Sequence, residues 1–95
     1  MRRFIAIHPV VFSEEQLQPL AKVRLPEGVT WHSTDCAVTA NKSYCYWEAP
    51  TKEAVVLILE KYEVPFEAVH EVRRFDPKTG RMEAEPVEDR ILQPA

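Results

Sequence analysis

The stretch from Trp31 to Pro50 limits what this chain can fold into more than any other. Its two halves, Trp31-His32-Ser33-Thr34-Asp35-Cys36 and Lys42-Ser43-Tyr44-Cys45-Tyr46-Trp47-Glu48, read as strands joined by a tight turn at Ala40-Asn41. Both cysteines, both tryptophans and one of the three histidines lie inside it. If Thr39 pairs with Lys42, Cys36 lies opposite Cys45 and shares a sheet face with His32, Thr34 and Trp47. Trp31, Tyr44, Tyr46 and Glu48 then fall on the other face. A slip of one residue exchanges the faces. Thiolate and imidazole gathered on one small surface suit transition metals. The chain has no Cys-x-x-Cys, His-Glu-x-x-His, Gly-x-Gly-x-x-Gly or P-loop pattern.

The flanking segments complete an alternating order. Arg3 to His8, with β-branched Ile5 and Ile7, reads as a strand closed by Pro9. Ser13 and Gln16 form a capping box for a first helix, which Pro19 shortens or kinks. Pro26-Glu27-Gly28 is a turn into the strand that begins at Val29. After Ala49-Pro50, Thr51 caps a second helix with Glu53 in its first turn. Ala54, Val55, Ile58, Leu59 and Tyr62 recur at helical spacing and form its core face. Phe66 to Phe75 reads as a further strand, Asp76-Pro77-Lys78-Thr79-Gly80 as a hairpin turn, and Arg81 to Glu85 as a short added strand. The fold class is therefore α+β: a ferredoxin-like βαββαβ sandwich with an extra C-terminal hairpin strand. Residues 1–85 form one domain and residues 86–95 an acidic tail, in which Ile91 and Leu92 could tether a partner.

A chain of 95 residues buries roughly 60–65% of its unfolded surface. That is enough for one sheet under one helical layer, and it leaves little room for a deep private cavity. The other sheet face stays open unless something covers it. A second copy closing the two sheets into a dimeric α+β barrel is the economical solution, with Tyr44, Tyr46, Trp31 and Trp47 available to fill it. The net charge of −3 argues against a nucleic-acid partner; Arg73, Arg74, Lys78 and Arg81 read as a solvated turn. No apolar run approaches the ~20 residues of a membrane span, and Met1 to Ile7 is too short for a secretory signal. The expectation is a soluble cytoplasmic protein with Cys36 and Cys45 as free thiols.

Gly28-Val29-Thr30-Trp31, Lys42-Ser43-Tyr44-Cys45, Glu48-Ala49-Pro50-Thr51-Lys52-Glu53-Ala54, Val64-Pro65 and Glu71-Val72 resemble the small bacterial DUF4242 family, over roughly Phe4 to Val72. The resemblance implies a dimerising ferredoxin-like fold and, in some members, nickel binding. His8 matches a histidine that one branch carries at the end of the first strand. Cys45, Glu48 and Glu71 match the cysteine of the aromatic strand, the acid before Ala-Pro and the acid of the final Glu-Val. The chain departs from that branch at Ala6 and Pro9, and in lacking a histidine in the second helix. It has His32 and His70 on strands instead.

His8, His32, Cys45, Glu48 and His70 are accordingly the candidate ligands for nickel or another divalent transition metal. The leading expectation is a small cytoplasmic metal-binding homodimer. The alternative is a dimeric barrel enzyme or small-molecule binder, with a histidine as general base in an aromatic-lined cavity. Each candidate has a plainer role. Cys45 can be a small buried hydrophobe, and His8, His32 and His70 can be edge or packing residues. Glu48 can be a solvated strand end, and Glu71 beside Arg73 can be a surface ion pair.

Overall fold

The computed structural model describes residues 2–83. Six strands and two α-helices follow in the order β1 (Arg2–His8), α1 (Glu14–Ala21), β2 (Thr30–Ala37), β3 (Lys42–Ala49), α2 (Lys52–Lys61), β4 (Ala68–Val72), β5 (Phe75–Asp76) and β6 (Arg81–Met82). Four strands form one antiparallel sheet in the order β2-β3-β1-β4. This is the ferredoxin-like α+β arrangement anticipated from the element order. The acidic tail from Pro86 onward lies outside the described residues.

Local chemistry explains most element ends. Ser13 accepts from the Gln16 backbone while the Gln16 side chain accepts from the Ser13 N–H, so both halves of the capping box are present. Pro19 sits inside α1, where it cannot donate to the Glu15 carbonyl, and the helix ends two residues later. Thr51 caps α2 through the Ala54 N–H. Val55, Ile58 and Leu59 are that helix's buried residues.

The core lies between the helices and one sheet face. Phe4, Ala6 and His8 of β1 point into it, as do Ser43, Cys45, Trp47 and Ala49 of β3 and Val69 of β4. The residues between them, Ile5 and Ile7 on β1 and Tyr44 and Tyr46 on β3, face the other way and are half-buried. Among the described residues no helix is long and apolar enough to cross a membrane.

Three sequence expectations are corrected. The β2–β3 connection is not a tight two-residue turn. A 3-10 turn occupies Val38–Ala40, Asn41 takes the left-handed conformation at φ 56°, and Ala37 pairs with Lys42. Cys36 therefore stands opposite Ser43, and Cys45 opposite Thr34. The strand expected to run to Phe75 stops at Val72, which pairs with Arg3. β1 begins only one residue earlier, so the chain beyond Val72 soon has no strand to pair with. It turns out of the sheet into the separate β5–β6 hairpin, where Gly80 takes φ 70°. Finally, Glu71 does not pair with Arg73. Its carboxylate accepts two hydrogen bonds from Arg2, both 2.8 Å.

The hairpin is fastened to the sheet by charge. Arg3 donates to Glu83 from Nη2 at 2.8 Å and from Nε at 3.1 Å, and the Arg73 guanidinium donates to the Glu83 carbonyl. Arg3 also lies 3.8 Å from Glu48.

Candidate functional site

His8 ends β1 on the core face, and its side chain is fully buried. Two partners hold the ring. Nδ1 lies 2.7 Å from the Pro65 carbonyl and Nε2 lies 3.1 Å from Cys45 Sγ. Phe12 meets the ring edge-on at 5.1 Å. Cys45 Sγ also lies 3.0 Å from Thr34 Oγ1, which in turn lies 2.9 Å from Trp31 Nε1. The groups thus form a continuous row across β2, β3, β1 and the Pro65 loop.

The direction of every proton in that row follows from its ends. The Pro65 carbonyl only accepts, so His8 Nδ1 carries the hydrogen. Burial holds the His8 pKa below the usual imidazole value, against the opposing pull of the Pro65 carbonyl. The ring is therefore neutral near pH 7 and Nε2 presents a lone pair. Burial also pushes the Cys45 thiol up to about 11, with the Thr34 hydrogen bond pulling the other way. Cys45 is a thiol that donates to His8, its single proton is used, and Thr34 must donate to its sulfur. Trp31, a donor only, supplies Thr34. The sulfur is thus held between a donor and an acceptor in a dry setting.

A β-bulge separates the other candidates from this row. Trp31 pairs with Trp47, Ser33 pairs with Tyr46, and His32 is the extra residue between them. One inserted residue reverses the facing of everything before it. Trp31 therefore lies on the helix side, stacked on Trp47 at 5.9 Å, and does not join the open face with the tyrosines. His32 leaves the face of Cys45, and its Nε2 lies 2.9 Å from Glu48 Oε1 on the open side. His70 also faces the open side, exposed, opposite Ile5.

The five candidates thus divide into a buried pair, His8 with Cys45, a half-exposed pair, His32 with Glu48, and His70 apart from both. Cys36 is exposed and free, and Cys45 is buried and free. Among the described residues no three His, Cys, Asp or Glu side chains converge. Three contributors to the buried row escaped the sequence reading: Thr34, the Trp31 indole and the Pro65 carbonyl. A register two residues longer at the turn would have set Thr34 against Cys45. The Pro65 carbonyl leaves no trace in side-chain pattern.

An antiparallel sheet covered by helices on one face, with a histidine–cysteine pair buried beneath them, defines a small ferredoxin-like protein with nitrogen and sulfur donors in its core. A family model described as nickel responsive protein SCO4226-like matches residues 8–72, more than half of the chain. The chain belongs to this family. The matched segment begins at His8 and ends with β4, leaving the β5–β6 hairpin outside it. The DUF4242 name drawn from the sequence is not the one this model carries, while the link to a small nickel-associated family stands. Neither the curated proteins nor the solved structures give a match.

Proposed function

We propose that this protein binds a divalent transition metal, nickel first, through His8 Nε2 and Cys45 Sγ. The observation that carries the reading is the 3.1 Å separation of these two buried donors in a chain of a nickel-responsive family. Two metal bonds of about 2.0–2.3 Å that meet near a right angle place their donor atoms about 3 Å apart. Right angles are what tetragonal N, O or S sites of nickel and copper ask for. The Pro65 carbonyl fixes the ring so that Nε2 is the free nitrogen, the usual outer support of a metal-bound histidine. A bound ion would supply strong electrostatic stabilisation of the thiolate in place of its proton. Cys45 would release that proton on binding, with Nε2 of His8 no longer available as its acceptor.

Two donors do not complete a coordination sphere, and the remaining positions lie on the helix-covered side of the sheet, where Thr34 Oγ1 is 3.0 Å from the sulfur. A homodimer is part of the proposal. Ile5, Ile7, Tyr44 and Tyr46 form a half-buried apolar strip on the open face, the kind of surface a partner covers. His32, Glu48 and His70 lie on that same side, across the sheet from the buried pair, where a second copy could gather a separate set of donors. The free thiols favour a reducing, cytoplasmic setting.

Calorimetric titration of the chelator-treated protein with Ni²⁺ tests the reading. Binding is expected for Ni²⁺, Cu²⁺ or Zn²⁺ and not for Mg²⁺ or Ca²⁺, which demand oxygen ligands. It should weaken steadily as the solution is acidified from neutral pH, because Cys45, protonated up to about pH 11, must shed its proton to coordinate. Light scattering on the same samples should give the mass of two chains. A flat titration at neutral pH removes the metal reading, and a mass of one chain at high concentration removes the dimer.

One observation favours a second reading. Glu48 holds His32 through Nε2 at 2.9 Å on the sheet face that carries Tyr44 and Tyr46, a carboxylate–imidazole pair suited to general-base work in an aromatic-lined dimer cavity. Uptake of benzoate by the metal-free dimer, lost in His32→Ala, would favour it over the metal reading.

A further inference from the structure

Helix α1 covers the sheet without sealing it. None of its residues is fully buried, and Pro19 interrupts its hydrogen bonding. Beneath it lies a partly open cavity of about 30 Å³, walled by Leu17 and Leu20 of α1, Ile58 and Leu59 of α2, and Trp31 and Trp47 of the sheet. Phe12, Leu17 and Trp31 also border a wider groove of about 330 Å³, which opens between α1 and the β2 edge with Glu14 and Gln18 at its rim. The groove and the cavity thus lie side by side and share Phe12, Leu17 and Trp31 as a common wall.

One polar atom in the cavity wall has no partner. Trp47 is 4% exposed, and its Nε1 donates to nothing among the described residues. Leaving a buried N–H unpaired costs free energy. The other indole is already committed, since Trp31 Nε1 donates to Thr34 Oγ1 and to the Ser33 carbonyl. Cys45, also in the wall, has its sulfur occupied by His8 and Thr34. The cavity wall therefore holds one fully buried donor without a partner, the Trp47 indole, with the half-buried Tyr62 phenol as the other donor-bearing residue of an otherwise apolar lining, beneath the helix held least firmly.

We propose that the space under α1 is a binding site for a small uncharged apolar molecule carrying one carbonyl oxygen, which accepts from Trp47 Nε1. No charged residue lines the inner cavity, so an ionised ligand would lose its hydration without compensation. Glu14 at the rim disfavours anions further. At about 30 Å³ the cavity is well below the ~150 Å³ that holds a benzene ring. A ring-sized ligand therefore needs α1, which has no buried residue of its own, to give way and let the ring use the neighbouring groove of about 330 Å³, within the range of small-molecule sites. The site needs no metal and stands or falls separately from the nickel reading.

Cyclohexanone is the probe, followed by proton–nitrogen correlation spectra of the full chain, in which the two indole N–H signals are assigned through Trp47→Phe. The expected result is a saturable downfield movement of the Trp47 indole N–H, with the Trp31 signal little changed. Methylenecyclohexane, the same ring without oxygen, should bind several-fold more weakly. Leu17→Trp, which fills the groove at its border, should abolish the movement even if Trp47→Phe fails to fold. The proposal is overturned if the Trp47 signal shows no saturable movement up to the solubility limit of cyclohexanone. Equal binding of the two rings, or an undiminished response in a folded Leu17→Trp, would overturn it as well.

Discussion

Replacing Cys45 with serine is expected to weaken Ni²⁺ binding by at least ~100-fold while the protein stays folded. Losing only an outer support of a metal ligand costs about 10–100-fold, so losing the sulfur itself should cost at least the upper end. Serine keeps a hydroxyl within reach of His8 Nε2 and changes the volume little, so the stability loss should be about 1 kcal/mol. His8→Ala is the harsher change. It empties a fully buried site and leaves the Pro65 carbonyl without its donor. The cavity and the unpaired carbonyl together should cost about 3–5 kcal/mol, a large share of the ~5–15 kcal/mol that holds a domain folded. Urea unfolding gives the stabilities, and calorimetry with the near-ultraviolet thiolate-to-nickel absorption gives the binding. Full Ni²⁺ affinity in folded Cys45→Ser would remove Cys45 as a ligand. A His8→Ala protein as stable as the parent would contradict the buried row of hydrogen bonds.

The second large effect is on stability against pH in the metal-free protein. Burial first, only partly offset by the Pro65 carbonyl, lowers the folded pKa of His8 below its ordinary value. Between the unfolded value near 6.5 and the lower folded value, the unfolded chain binds the extra proton. Stability contributed by neutral His8 is therefore complete above about pH 6.5 and falls as the solution is acidified. Cys45 acts on the other side. Burial first raises its folded pKa to about 11, while an unfolded thiol ionises near 8.5. The unfolded chain loses its proton earlier, so stability falls as pH rises from about 8.5 towards 11. The alkaline loss is roughly 3 kcal/mol. The expected profile is a plateau between about pH 6.5 and 8.5 with a decline on each side. Tyr46 contributes to the alkaline side too, its phenol held up by burial and by Asp35. Urea midpoints measured against pH for the parent and Cys45→Ala separate the two, since only the thiol part disappears in the variant. An alkaline decline of equal size in both proteins would show that Cys45 is not held protonated.

The order and kind of the main elements were legible because they rest on interactions within a few residues. Ser13 and Gln16 cap α1, Thr51 caps α2, and Val55, Ile58 and Leu59 mark the buried side of a helix, each through spacing that the chain carries with it. Alternation on β1 and β3 was equally plain, and Ile5, Ile7, Tyr44 and Tyr46 lie on the open face. The sequence also singled out His8 and Cys45, and the strand order that follows from βαββαβ connectivity brings β1 beside β3.

The pairing of β2 was decided only in the folded molecule. Asn41 accepts a left-handed conformation that lengthens the turn, and an extra residue at His32 bulges the strand. Each costs little locally, so neither leaves a mark in local pattern. Burial of Trp31 against Trp47 and the donation from Trp31 to Thr34 compensate the irregularity. The consequence for the site is large. Period-two alternation means that a single inserted residue sends His32 to Glu48 and brings Trp31 to the core. Five candidate ligands became two separate pairs and one isolated histidine through contacts between residues far apart in the chain. The Pro65 carbonyl that orients His8 comes from a loop 57 positions away. A main-chain acceptor has no residue identity to read, and only tertiary packing aims it.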